Sequence, residues 1–86
     1  MEITNIKIRK VEDKKRVRAN VSVTFDHVFV VHDIKVIDGT NGMFVAMPNR
    51  LSVEQDTFLD IAHPIKQSFR DYLTEKVLEA YYEVTE

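Results

Sequence analysis

His32-Asp33 and Asp60-x-x-His63 are the two places where this chain sets an imidazole near a carboxylate, the pairing that acid–base chemistry or a metal ion would use. Neither grows into a catalytic set. A zinc site needs three or four converging ligands, and the helical signature with two histidines four apart is absent. His63 precedes Pro64 and is therefore held extended, which suits it to bracing the loop that leads into a helix. There is no Gly-rich phosphate loop and no Gly-x-Ser-x-Gly nucleophile turn. The absence of cysteine removes disulfides, thiolate ligands and a Cys nucleophile together. The residues therefore predict a protein that is not an enzyme, has no cofactor, metal or small-molecule substrate, and works through a binding surface.

The basic residues suit recognition better. Residues 1–20 hold seven basic groups against three acids, a net of +4, while residues 51–86 hold three against eight, a net of −5. If Glu12–Lys15 closes a turn, Val11 lies opposite Arg16 and Arg9 opposite Arg18. Lys7, Arg9, Arg16 and Arg18 would then share the solvent face of two neighbouring strands. Like charges directly opposite weaken a sheet slightly, so their presence points to an anionic partner, whose phosphates Arg and Lys contact most readily. A solvated face whose charges block edge association explains the same pattern. A second set comprises Lys66 and Arg70, one turn apart at a helix start that itself favours phosphate, with Arg50 on the loop before it. Three charges are few for a polyanion, and a solubilising helix edge is the plainer account of them. Tyr81 and Tyr82 are adjacent, so at most one joins a core stripe; the other would stack on a base or, more simply, pack in a dimer contact.

The elements that must position these groups are short. Ile3–Val11 and Arg16–Phe25 alternate apolar and polar residues and predict an antiparallel hairpin. Phe29–Asp38 is ambiguous: Val30, Ile34 and Ile37 have helical spacing and Gly39 stands where a helix would end, yet the β-branched density suits a strand. The spacing is taken to favour a short helical segment. Asp38–Gly42 predicts a turn, Met43–Met47 a short strand ended by Pro48, Asn49–Asp56 a polar loop, and Thr57–Ile61 a last strand. Pro64 then predicts the start of an amphipathic helix of roughly 18–20 residues. Its apolar stripe would be Ile65, Phe69, Tyr72, Leu73, Val77, Ala80 and Val84, opposite Asp71, Glu75 and Glu79. The expected fold is α+β: a small antiparallel β-sheet, a short helical segment and one long C-terminal amphipathic helix.

The chain's 86 residues suit a single domain spanning 1–86. A chain of this size buries only about 60–65% of its unfolded surface, so pairing with a second copy would help it. With 44% hydrophobic and 30% charged residues it is globular rather than disordered. Met1 leads straight into the first strand, and no apolar run reaches the ~18 residues that span a bilayer, which predicts a cytoplasmic protein with no membrane partner.

Read whole, Phe29-Val30-Val31-His32-Asp33-Ile34-Lys35-Val36-Ile37-Asp38-Gly39, with Gly42-Met43-Phe44-Val45-Ala46-Met47-Pro48, resembles the SpoVG (stage V sporulation protein G) family. Asp60–Ile65 and the opening Met1–Lys10 are similar to the same family, so the likeness covers about the whole chain. The resemblance implies a bacterial, cytoplasmic homodimer that regulates septation, sporulation and gene expression by binding DNA, or RNA. One departure stands out. The family's basic cluster after Ala-Met-Pro is reduced to Arg50, with Leu51 and Leu59 where further basic residues are expected. Phosphate contacts are accordingly expected first from Arg50, Lys66 and Arg70, and second from Lys7, Arg9, Arg16 and Arg18. The alternative is a protein–protein adaptor in cell division that uses the sheet edge or the acidic helix face without touching nucleic acid.

Overall fold

The alternation of the first 25 residues becomes an antiparallel ladder between β1 (Ile3–Lys10) and β2 (Val17–Phe25). The computed structural model of the chain describes residues 1–11 and 16–85, so the expected turn at 12–15 lies outside the described residues. The register differs from the one a tight turn would set. Arg9 lies opposite Asn20 and Lys7 opposite Ser22, and the Val11 N–H reaches the Arg18 carbonyl at 3.0 Å. Arg9 therefore does not face Arg18, nor Val11 Arg16. The ladder sets neutral polar residues, not like charges, opposite the two cations, and the predicted electrostatic penalty does not arise.

Phe29–Gly39 is strand β3 along its whole length, which corrects the helical segment expected there. The strand's alternation is broken by a bulge. Ser22 on β2 is opposed by both His32 and Asp33, and Asp33 takes a φ of 64°. The extra residue shifts the alternation by one, so Val31, Ile34 and Val36 all turn to the core. Val30 and Ile37, whose spacing with Ile34 looked helical, are not part of that core. β4 (Gly42–Ala46) returns antiparallel to β3 and completes a four-stranded sheet of order β1-β2-β3-β4.

The β3–β4 turn rests on Gly42, whose φ of 119° L side chains rarely adopt, while an added methyl there would meet no atom within 4 Å. The cost of a side chain is thus conformational alone. Gly42→Ala is expected to lower unfolding stability by about 1–2 kcal/mol, seen as a lower denaturant midpoint with an unchanged slope.

Asn49–Asp56, expected to be a loop, instead contributes β5 (Asn49–Ser52), which pairs with β6 (Thr57–Asp60) in a separate two-stranded sheet. A four-residue turn needs no glycine here because Asp56 takes the positive φ, at 50°. Helix α1 (Gln67–Thr85) begins three residues after Pro64. Proline permits a first turn but does not nucleate one, and the Arg70 N–H to Lys66 carbonyl bond of 3.1 Å is the first to close. Ile65 thus lies outside the helix and Val84 is exposed, so the apolar stripe runs from Phe69 to Tyr81.

That stripe covers one side of the sheet. Ala19, Val21, Val23, Ile34 and Val36 from the strands meet Leu73, Val77 and Tyr81 from α1, all buried. Each aliphatic side chain fully withdrawn from water contributes about 1.5–3 kcal/mol. Phe25 and Phe69 meet as tilted rings with centroids 5.8 Å apart, and Phe69 and Tyr72 likewise at 5.7 Å. Tyr81 is buried and its neighbour Tyr82 exposed, as adjacency on a helix requires. No described helix is long and apolar enough to cross a membrane.

Candidate nucleic-acid interface

With the helix on one side of the four-stranded sheet, the other side is left to solvent. There the odd residues of β1 from Asn5 on and the even residues of β2 point outward: Lys7 and Arg9 are exposed, Asn20 and Ser22 half-buried. Registers carry two polar rows across the strands. One runs Arg9, Asn20, Lys35; the other runs Lys7, Ser22 and His32 at the bulge. Ser22 Oγ and His32 Nδ1 are 2.8 Å apart, a contact that fixes the ring against β2. Lys7, Arg9, Asn20, Ser22, His32 and Asp33 line one depression of about 420 Å³. Two strand positions two residues apart place Lys7 and Arg9 about 7 Å from each other along β1.

Two residues further along β2, Arg18 donates to Asp38 Oδ2 at 2.9 Å. That hydrogen bond, and the charge of the carboxylate, hold the guanidinium pKa above its ordinary value, so Arg18 stays cationic throughout the working pH range. The pair is exposed on both sides, which keeps it weak and leaves Arg18 able to exchange Asp38 for another anion. Arg16 leads into β2 and is exposed.

The other expected phosphate contacts lie elsewhere. Arg50 is exposed on β5, in the second sheet, opposite Leu59. Lys66 is exposed at the margin of an apolar cleft, and Arg70 is half-buried in the first turn of α1. The fold therefore gathers Lys7 and Arg9 in one depression with Arg18 close by, and sets Arg50 in a different element from Lys66 and Arg70.

Sequence reasoning did not place His32 or Lys35 with the basic residues. Their adjacency depends on β3 lying beside β2, which a helical reading of Phe29–Asp38 hides. The β-branched run Val30-Val31 and Val36-Ile37 was the signal that could have found it. His63 does turn back on its own loop, its Nδ1 3.2 Å from the Pro64 carbonyl oxygen. Among the described residues no three His, Cys, Asp or Glu side chains converge as a metal site would need.

Charge is distributed by side. The sheet's outer face carries Lys7, Arg9, Arg18 and Lys35 with Asp33 and Asp38 among them, whereas α1 exposes Asp71, Glu75, Glu79 and Glu83 with Lys76. The net charge of −2 conceals this polarity. A polyanion would be attracted to one face and repelled by the other.

The sequence profile of the SpoVG family matches residues 1–83 of the chain. A protein of Caldicellulosiruptor saccharolyticus is 53% identical over 81 residues, covering 94% of this chain and 91% of its own. A protein of Clostridioides difficile is 51% identical over 83 residues, covering 96% and 89%. A protein of Bacillus pumilus is 49% identical over all 86 residues, 87% of its own length. All three carry the same provisional name, septation protein SpoVG.

Proposed function

Because the chain belongs to the SpoVG family, we propose that it is a homodimeric, cytoplasmic regulator of septation and sporulation that controls gene expression by binding DNA or RNA, through the outer face of its four-stranded sheet. The septation role is supported by the names its relatives carry. The nucleic-acid reading is supported above all by one observation: Lys7 and Arg9 share a single depression with Asn20, Ser22 and His32, where Asp33 is the one acid among the lining residues. Arginine and lysine there would hold phosphates, and Asn and Ser could add contacts to sugar or base. A dimer would present two such depressions, which compensates for the few cations in each copy. Arg50, Lys66 and Arg70 contribute secondary contacts on this reading.

Fluorescence anisotropy of labelled duplex and single-stranded oligonucleotides, across a salt series, tests the reading. Three cations per protomer (Lys7, Arg9 and Lys35) in a dimer predict a log–log salt slope of roughly −5. Binding that ignores Lys7 and Arg9 but collapses in a triple Arg50, Lys66 and Arg70 to Ala variant would move the site to the helix start. No binding to any oligonucleotide at low salt would favour the protein–protein adaptor, acting through the acidic face of α1.

Asp38 adds a graded check. Asp38→Asn removes the carboxylate that competes for Arg18. It is expected to tighten oligonucleotide binding about two- to fivefold, the ~0.5–1 kcal/mol of an exposed ion pair.

A further inference from the structure

The outer face of the four-stranded sheet is not polar throughout. Past the register shift at Arg18, Val17 pairs with Ile37, and Ile37 pairs in turn with Phe44 on β4. Cross-strand partners share one side of a sheet. Val36 on β3, and Met43 and Val45 on β4, face the core, so Ile37 and Phe44 alternate to the other side and Val17 goes with them. None of the three belongs to the core. They make an apolar row immediately beside the row Arg9, Asn20, Lys35.

Phe44 is the largest member of that row, sits on the edge strand and is 47% exposed. Its ring is held in place. A methyl group added at Gly39 would stand 2.8 and 2.9 Å from Phe44 Cε1 and Cδ1, so the ring lies over the bare backbone of that glycine. Covering a glycine on the neighbouring strand accounts for one side of the ring. It gives no reason for the nearly half of the side chain left in water. An aromatic ring fixed in this way has little freedom to lose when a flat ligand settles on it.

Resting on the nucleic-acid reading above, we propose that Phe44 is a stacking platform for one unpaired base, flanked by Ile37, and that this face takes single-stranded rather than duplex nucleic acid. The strand's phosphates run along Lys35 and Arg9. Lys35 pairs with Ala46, which makes it a diagonal neighbour of Phe44 at about 7–8 Å. That is the breadth of one nucleotide from base to phosphate. In a duplex both faces of each base are already stacked, so a side chain standing on a sheet reaches only a base that is splayed out. Charge selects such a strand over an apolar peptide. Asp38, the acid next to Ile37, is engaged by Arg18 at 2.9 Å, and among the described residues Lys35 and Arg9 make no ion pair. An aromatic ring beside uncommitted cations is the combination that binds single strands with little regard for sequence.

The chain has no tryptophan, so Phe44→Trp places a single indole at the platform. Its emission should be quenched saturably by a short oligothymidylate, but not by a duplex carrying as many phosphates or by an abasic strand of the same length. Phe44→Leu keeps an apolar side chain over Gly39 and removes no charge. It is expected to weaken oligothymidylate binding at least about fivefold, with duplex binding and the salt slope unchanged because every phosphate contact remains. Circular dichroism checks the fold of both variants. The unmodified protein supplies a test that needs neither: it should prefer oligothymidylate to the abasic strand at equal length and salt. Equal affinity for those two strands, with no quenching in the Phe44→Trp protein, overturns the platform and leaves the phosphate-binding face standing. Absence of binding to any oligonucleotide at low salt overturns both.

Discussion

Lys7→Glu combined with Arg9→Glu is expected to weaken oligonucleotide binding at low salt by at least about 100-fold, since each charge-assisted hydrogen bond to phosphate is worth ~1.5–3 kcal/mol and two are lost. Reversal of sign adds repulsion to that loss. The salt slope should become shallower by about 1.8 units for each protomer engaged, the signature of two phosphates no longer neutralised. Both side chains are exposed and lie opposite neutral partners, so the fold should tolerate the change. An unchanged thermal midpoint beside lost binding is therefore part of the expected result. Anisotropy titrations at two salt concentrations, with circular dichroism on the same samples, check it. If affinity falls by less than threefold with the fold intact, the outer face is not the binding surface.

Leu73→Ala is expected to be the most damaging of the simple core truncations. Leu73 is 1% exposed and sits on the α1 stripe between Phe69 and Val77, against the sheet. Truncation there removes buried methyl groups and leaves a cavity that rigid strands cannot collapse to fill, at a cost of about 3–5 kcal/mol. A domain this short has only about 5–10 kcal/mol to lose. Its midpoint should fall by roughly 15 °C or more, at ~4–8 °C per kcal/mol. Glu75→Ala, two positions away and exposed, should change stability by less than about 0.5 kcal/mol. Equal effects from the two would contradict the placement of the helix on the sheet.

How much of this could be read from residues alone depended on whether the period of two was unbroken. β1 and β2 alternate cleanly, and both strands and their inward faces were apparent from Ile6, Ile8, Val21 and Val23. β3 carries a bulge at Asp33 that breaks its alternation, so Phe29–Asp38 lacks the clean period of two seen in β1 and β2. The hairpin register failed for a related reason. Turn length was assumed from the polar residues 12–15, whereas the ladder pairs Arg9 with Asn20, two residues further along β2 than the assumed Arg18. β5 was hidden by its polar composition, since Asn49, Arg50 and Ser52 have poor strand propensity, and pairing with β6 overrides it. The basic residues of the first hairpin were visible in the sequence; His32 and Asp33, which complete their depression, were not placed beside them, because β3 supplies both.

The central claim is that nucleic acid lies across the outer face of the four-stranded sheet. Amide NMR spectra of the isotopically labelled protein, titrated with a short single-stranded and a short duplex oligonucleotide at low salt, test it most directly. The account predicts saturable shifts concentrated at Lys7, Arg9, Asn20, Ser22 and Lys35, with Asp71, Glu75 and Glu79 unmoved. Shifts confined to Arg50, Lys66 and Arg70, or none with either oligonucleotide, would contradict it.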